Sequence, residues 1–173
     1  LAELSAKFNQ QVLADINDAA VQVREESELD GLSEAAVKAA AAAAAERGVE
    51  GYLLTQQLFS NHPQLEQLRD RGLRERLWRA STSRGADNAA TLLAMVRLRA
   101  EKARMLGFEH HADYIAADQT AGDAEVIAER LADLAAASVR NARAEAARLQ
   151  AVIDDEGGDF TLAAWDWSHY AAK

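Results

Sequence analysis

Two adjacent histidines, His110 and His111, form the cluster whose residue types best suit a metal ion. Glu109 and Asp113 flank them and add two carboxylates. Neighbouring residues on a helix point about 100° apart, so both imidazoles cannot ligate one ion from a regular helix. A zinc-binding helix instead places its histidines at i and i+4 with a glutamate between them. We therefore interpret the pair as structural or surface histidines and predict no metal ligand here.

A run of arginines makes one stretch of this acidic chain locally basic. Its members are Arg69, Arg71, Arg74, Arg76, Arg79 and Arg84. Converging arginines bind a substrate carboxylate in bidentate fashion, which is one reading. The other reading, which we favour, is a solvated helical face paired with Glu66, Asp70 and Glu75.

The last residues are rich in aromatic side chains. Trp165 and Trp167 lie among Leu162 and Tyr170, and three residues after Tyr170 the sequence stops. A stacking platform for a ligand is one reading, but burial against a missing part of the protein explains the cluster better. We expect an exposed apolar tail and a chain that is one piece of a longer protein, with a homodimer through the tail as a further expectation. We predict no catalytic, cofactor-binding or metal-binding residue within residues 1–173.

The composition limits the kinds of partner and location that the protein can have. The chain has 173 residues, one Pro, no Cys and a net charge of −9. The acidic balance argues against nucleic acid and anionic membranes as partners. No apolar run approaches the roughly 18–20 residues that span a bilayer, and we expect a cytoplasmic protein.

The first third predicts two helices and one extended segment. Apolar residues recur at helical spacing from Leu4 to Val23, before the break at residues 30–31. Ser33 suits an N-cap and Gly48 a helix stop. Residues 51–55 (GYLLT) read as a short strand, and a lone strand needs partners from outside this chain.

The remaining two thirds read as helices. Residues 61–63 predict a turn, and Pro63 suits the first turn of the helix that follows. Gly72 suits a break in that helix. Asp87 and Asp123 suit the N-caps of two later helices. Much of the expected core comes from Leu92, Leu93, Met95, Val96, Leu98 and Leu106. Helical spacing also joins Val126, Ile127, Leu131, Leu134, Val139, Leu149, Val152 and Ile153. The predicted fold is all-α, a multi-helix, antiparallel, bundle-like single domain over residues 1–173, with one short extended segment near residues 50–57.

Five segments, in order, resemble the thimet oligopeptidase and peptidyl-dipeptidase family of zinc metallopeptidases, the Dcp type most closely. They are residues 29–36 (LDGLSEAA), 50–55 (EGYLLT), 73–84 (LRERLWRASTSR), Asn88 with 98–108 (LRAEKARMLGF), and 165–170 (WDWSHY). The sequence departs from the family pattern at His169, where a Tyr is usual, and at residues 59–63 (FSNHP).

The resemblance implies a mostly helical, two-lobed parent peptidase with a deep channel for short peptides. In that family zinc, held by two His and one Glu, polarises the scissile carbonyl, and the Glu of the His-Glu-x-x-His motif activates water. Those residues lie outside residues 1–173. The chain is then an inactive part of the N-terminal lobe that walls the channel, and its partner is the missing C-terminal catalytic half.

An alternative remains open: a stand-alone helical scaffold or peptide-binding module without catalytic activity. This alternative predicts that the C-terminal aromatics fold back onto the domain. The peptidase reading predicts an exposed apolar surface around Trp165 and Trp167.

Overall fold

The computed structural model describes residues 1–57 and 63–173, together with the helical backbone that joins them. The helices are α1 (Ala2–Asp18), α2 (Glu34–Glu46), α3 (Leu58–Gln67), α4 (Arg71–Thr82), α5 (Ala89–Met105), α6 (His111–Ala116), α7 (Ala124–Asp155) and α8 (Trp167–Ala171). Two strands, β1 (Val21–Val23) and β2 (Tyr52–Leu54), form a small antiparallel sheet. With 68% of the chain helical, the all-α class is confirmed.

The extended segment predicted at residues 51–55 is confirmed as β2, but its partner lies within the chain. Val21 pairs with Leu54, and Val23 pairs with Tyr52. The prediction that the first helix reaches Val23 is therefore wrong, since α1 ends at Asp18. Gly51 makes the pairing possible: at its φ of +86°, a Cβ atom would collide with the carbonyl oxygen of Val23.

Local sequence signals fix both ends of α2. The Ser33 hydroxyl accepts a hydrogen bond from the Ala36 N–H at 3.2 Å, as an N-cap does. Gly48, at a φ of +66°, follows the last turn. Just before the helix, Gly31 has a φ of +98°, and a Cβ atom there would collide with the carbonyl oxygen of Gln67. The glycine thus lets this loop approach the end of α3.

The α3–α4 corner differs from the prediction. Pro63 lies inside α3 rather than in its first turn. The break between the two helices lies before Gly72. Asp70 caps α4, and its carboxylate accepts a hydrogen bond from the Leu73 N–H at 2.6 Å. The turn predicted at residues 61–63 lies largely outside the described residues.

The chain divides into two compact units, and the boundaries fall inside α1, between α4 and α5, and inside α7. One unit comprises residues 12–86 and 146–173, the other residues 1–11 and 87–145. The single domain expected over residues 1–173 stays a prediction. The first of these units contains an apolar core shared by α2, the sheet, α3, α4 and the loop before α2. Its buried members are Val23, Leu29, Ala40, Leu54, Leu65, Leu68, Leu73 and Leu77.

In the unit of residues 1–11 and 87–145, the predicted core is largely wrong. Met95 is buried, but the other five expected core residues of α5 and its end are exposed: Leu92, Leu93, Val96, Leu98 and Leu106. On α7, the Asp123 carboxylate caps the first turn as predicted, through a 2.6 Å hydrogen bond from Glu125 N–H. Asp87 does not cap α5. The next residue, Asn88, is buried, and its side-chain Nδ2 donates a hydrogen bond to the carbonyl oxygen of Phe8 at 3.0 Å.

Within residues 1–57 and 63–173, no helix is both long enough and apolar enough to cross a membrane.

Candidate functional site

A buried ion cluster joins α4 to the segment before α8. Asp166 is fully buried and accepts hydrogen bonds from Arg71 Nη2 at 2.9 Å and from Arg74 Nη2 at 3.0 Å. Arg71 Nε lies 3.1 Å from both carboxylate oxygens. We call these three residues the junction. It links positions 92 and 95 residues apart in the sequence.

Arg74 also closes the end of α3. Its Nη1 donates to the carbonyl oxygens of Leu68 and Arg69, at 2.9 and 3.0 Å. On the other side, the Ala163 N–H donates to Asp166 Oδ2 at 3.1 Å. One carboxylate and one guanidinium therefore hydrogen-bond to backbone groups of two separate turns while they pair with each other.

The electrostatics keep Asp166 ionised. Burial by itself raises the pKa of this carboxyl, but the hydrogen bonds from Arg71 and Arg74 outweigh burial and hold the pKa below its ordinary value. A carboxylate this well satisfied is a poor general acid or base at neutral pH. The junction is suited to holding structure rather than to moving protons.

Aromatic rings pack against Arg71 of the junction and continue beyond it to Arg79. The rings of Trp78 and Trp165 lie 5.6 Å apart, centroid to centroid. The Arg71 guanidinium lies 4.2 Å from the Phe160 ring, and Arg79 lies 5.3 Å from the ring of Trp165. Such contacts favour guanidinium groups, which stack on aromatic faces and are more weakly hydrated than ammonium groups.

The predicted solvated arginine face is therefore correct only in part. Arg79 pairs with Glu75 at i, i+4, as expected. Arg74 is buried, however, and Asp70 serves as a helix cap rather than an ion-pair partner. Two further arginines pair with distant acids, Arg69 with Asp30 and Arg76 with Glu28.

The aromatic tail folds back onto its own unit. Trp165 and Trp167 are half-buried, and Tyr170 is buried. The exposed apolar surface predicted around the two tryptophans is thus wrong, because the tail packs on α3 and α4. Lys173 Nζ donates to the Glu156 carboxylate, which ties the last residue to the end of α7.

His169, the departure from the family pattern, is fixed in place. Its Nδ1 lies 3.0 Å from the carbonyl oxygen of Glu66, so the ring donates a hydrogen bond there. Burial, followed by the nearby charge of Arg74, lowers the pKa of His169. The ring is therefore a neutral link between α8 and α3 at neutral pH.

The histidine pair at the start of α6 takes a local structural role. His110 is the N-cap residue, and its N–H donates to the Asp113 carboxylate at 3.1 Å in a capping box. Throughout residues 1–57 and 63–173, no three His, Cys, Asp or Glu side chains come together as a metal site requires. The described residues thus do not fit a zinc ion, and that the chain holds none stays a prediction.

Sequence reasoning missed the junction, although both of its ends lay in motifs already noted. Arg74 is the first of the two arginines in the LRERLW segment, and Asp166 is the aspartate of the WDWSHY segment. The signal available was an acid between two tryptophans, in an aromatic cluster that we expected to be buried only against a missing part of the protein. A buried acid requires a buried base, and the arginine run was the obvious source.

Comparison with known proteins agrees with these motifs. The family model of Peptidase family M3 matches residues 64–173. The chain is 35% identical to dipeptidyl carboxypeptidase of Escherichia coli, over 99% of this chain and 26% of that protein. It is 32% identical to oligopeptidase A of the same organism, over 100% of this chain and 27% of that protein. It is 28% identical to organellar oligopeptidase A of Arabidopsis thaliana, over 100% of this chain and 23% of that protein.

The chain spans about a quarter of the length of these relatives. The matched region contains the whole junction, from Arg71 and Arg74 to Asp166, and more than half of the chain. The chain belongs to Peptidase family M3.

Proposed function

We propose that this chain is a non-catalytic, helical part of a zinc-dependent metallopeptidase that hydrolyses short peptides. The observation that carries the proposal is the junction. Two segments that resemble the family, residues 73–84 and 165–170, meet in the fold through the Arg74–Asp166 ion pair and the contact between Trp78 and Trp165. The two motifs are therefore in contact with each other in this fold, which supports reading them as parts of one structure.

In this proposal the chain walls the substrate channel, and the zinc ligands lie in the C-terminal catalytic half. The junction and α8 hold the segment that leads towards that half. The substrates are short peptides, since a narrow channel between helical lobes excludes folded proteins by size. The cytoplasmic location expected from the sequence is part of the same proposal.

The test is a peptidase assay on the full-length gene product. We expect hydrolysis of short unblocked peptides, loss of activity with a chelator and recovery with zinc. The same peptide sequence inside a folded protein should stay intact. A folded, zinc-loaded product that cleaves none of a varied peptide set contradicts the proposal. Product analysis by mass spectrometry separates release of dipeptides from internal cleavage.

A stand-alone peptide-binding module is the second candidate, and two observations favour it. The aromatic tail folds back, as this alternative predicts. A groove of about 800 Å³ also opens beside α2, with Leu29 and Val37 among its apolar lining and Glu26 and Glu34 among its acids. Its charge suits a basic, partly apolar peptide. Tight binding of such a peptide by a full-length product without hydrolysis would favour the module.

A further inference from the structure

Helix α7 is packed at one end only. Every residue from 125 to 145 is exposed, whereas near the C-terminal end Leu149 and Val152 are half-buried and Ile153 is fully buried. About six helical turns thus lack tertiary cover in the described structure. In folded proteins most of the stability of a helix comes from packing of an amphipathic face rather than from intrinsic propensity, so an uncovered stretch of this length calls for a partner.

The uncovered part nevertheless has an apolar face. At about 100° per residue, Ile127, Leu131 and Leu134 fall on one side of the helix, within an arc of about 60°. Leu149 and Val152 fall within the same arc. The exposed stripe therefore continues a stripe that is buried at the other end of the same helix. The three exposed side chains are 38%, 61% and 52% accessible, respectively.

We propose that this stripe, Ile127, Leu131 and Leu134, is covered by the polypeptide that follows Lys173 in the full-length peptidase. The inference rests on the proposed function. The relatives are roughly four times as long as this chain, since it spans 26% of dipeptidyl carboxypeptidase, so most of such a protein is available to supply the cover. Continuity with the packed end of α7 indicates an intramolecular interface of the same kind.

A second copy of the chain is the competing occupant, and the size of the stripe argues against it. The three side chains offer on the order of 300 Å² of apolar surface. A standard interface between separate proteins buries roughly 800 Å² on each partner, counted over all atoms, so the stripe alone would make up only part of one. A segment of the same polypeptide needs less area, because the covalent link gives it an effective concentration in the millimolar range.

The expected contact with the catalytic half then lies on α7 rather than at the aromatic tail. The sequence placed that contact at Trp165 and Trp167, but both side chains are half-buried in their own unit. The exposed apolar surface of α7 lies in the unit of residues 1–11 and 87–145 instead.

The test is amide hydrogen exchange on the full-length protein, followed by mass spectrometry. We expect amides 125–145 to exchange as slowly as amides 149–153, at least about 100-fold slower than in an unpacked helix. Leu131→Glu combined with Leu134→Glu should abolish that protection. Val126→Glu is the matched control, because Val126 is 50% exposed but lies about 110° around the helix from the middle of the stripe. Should the double variant not fold, Leu131→Ala should still accelerate exchange, since alanine preserves helix propensity.

The outcomes separate this inference from the proposed function. Fast exchange at 125–145 in an active peptidase overturns the docking and leaves the function intact. Slow exchange in a folded product without peptidase activity supports the docking and contradicts the function. If the slow exchange at 125–145 disappears when the protein is diluted to a monomer, a second copy of the chain covers the stripe. That result also overturns the inference. Equal effects of the Val126 and Leu131 variants overturn it as well.

Discussion

Replacing Asp166 with Asn should destabilise the unit of residues 12–86 and 146–173 far more than any exposed carboxylate can. The substitution keeps the shape of the side chain but leaves Arg74, only 1% exposed, as an uncompensated buried charge. Breaking a buried pair in this way costs about 3–5 kcal/mol. For a chain of this size that loss lowers the Tm by roughly 6–20 °C.

Asp30→Asn is the matched control. The Asp30–Arg69 pair has a similar distance, 3.0 Å, but its side chains are 59% and 71% exposed. Exposed pairs contribute about 0–1 kcal/mol. All three tryptophans of the chain, Trp78, Trp165 and Trp167, lie in the unit that contains the junction, so urea titration followed by tryptophan fluorescence reports on it directly.

Two results would refute this reasoning. The first is that Asp166→Asn lowers the free energy of unfolding by less than about 1 kcal/mol, as little as the Asp30 control does. The second is additivity with Arg74→Met in a double-mutant cycle, because residues in direct contact should couple by about 0.5–3 kcal/mol. The pH dependence offers a third check. Since the folded pKa of Asp166 is lowered, its stabilisation is present above the ordinary value of 3.8 and is lost as the pH falls through the lower folded pKa.

Two further predictions concern α8 and the loop before α2. The pKa of His169 is lowered in the folded state, so the unfolded chain takes up its proton first and stability falls as the pH drops below 6.5. His169→Gln should flatten that decline in urea titrations between pH 7 and 5, and an unchanged slope would contradict the assignment. Gly31→Ala should cost at least about 1–3 kcal/mol, because the new methyl group meets the Gln67 carbonyl at a positive φ. Gly48→Ala, with nothing within 4 Å, should cost about 1 kcal/mol, and equal losses would contradict the steric argument.

Local signals predicted several helix ends, although Asp87 does not cap α5 and Pro63 does not lie in the first turn of α3. Ser33, Gly48 and Asp123 act as the sequence predicted, because capping depends on residues within one helical turn. The prediction that the first helix reaches Val23 failed because the structure of that segment depends on residues far away in the sequence. The strand that contains Val23 exists only because residues 52–54 pair with it, and periodicity over a short window does not reveal that partner.

Long-range packing was the part that the sequence did not predict. The leucines of α5 and the stripe of α7 have the spacing of a core, but spacing marks a face and not what covers it. The junction likewise joins residues 92 positions apart. The resemblance supplied both of its motifs, yet only the fold shows that Arg74 and Asp166 meet.

The most direct test of the central claim is to read the gene beyond the codon for Lys173. Membership in the family and the proposed role as a channel wall predict an in-frame His-Glu-x-x-His motif followed by a distal Glu. A stop codon soon after Lys173 would contradict the proposal and leave a helical module that shares the fold of a peptidase segment without its chemistry.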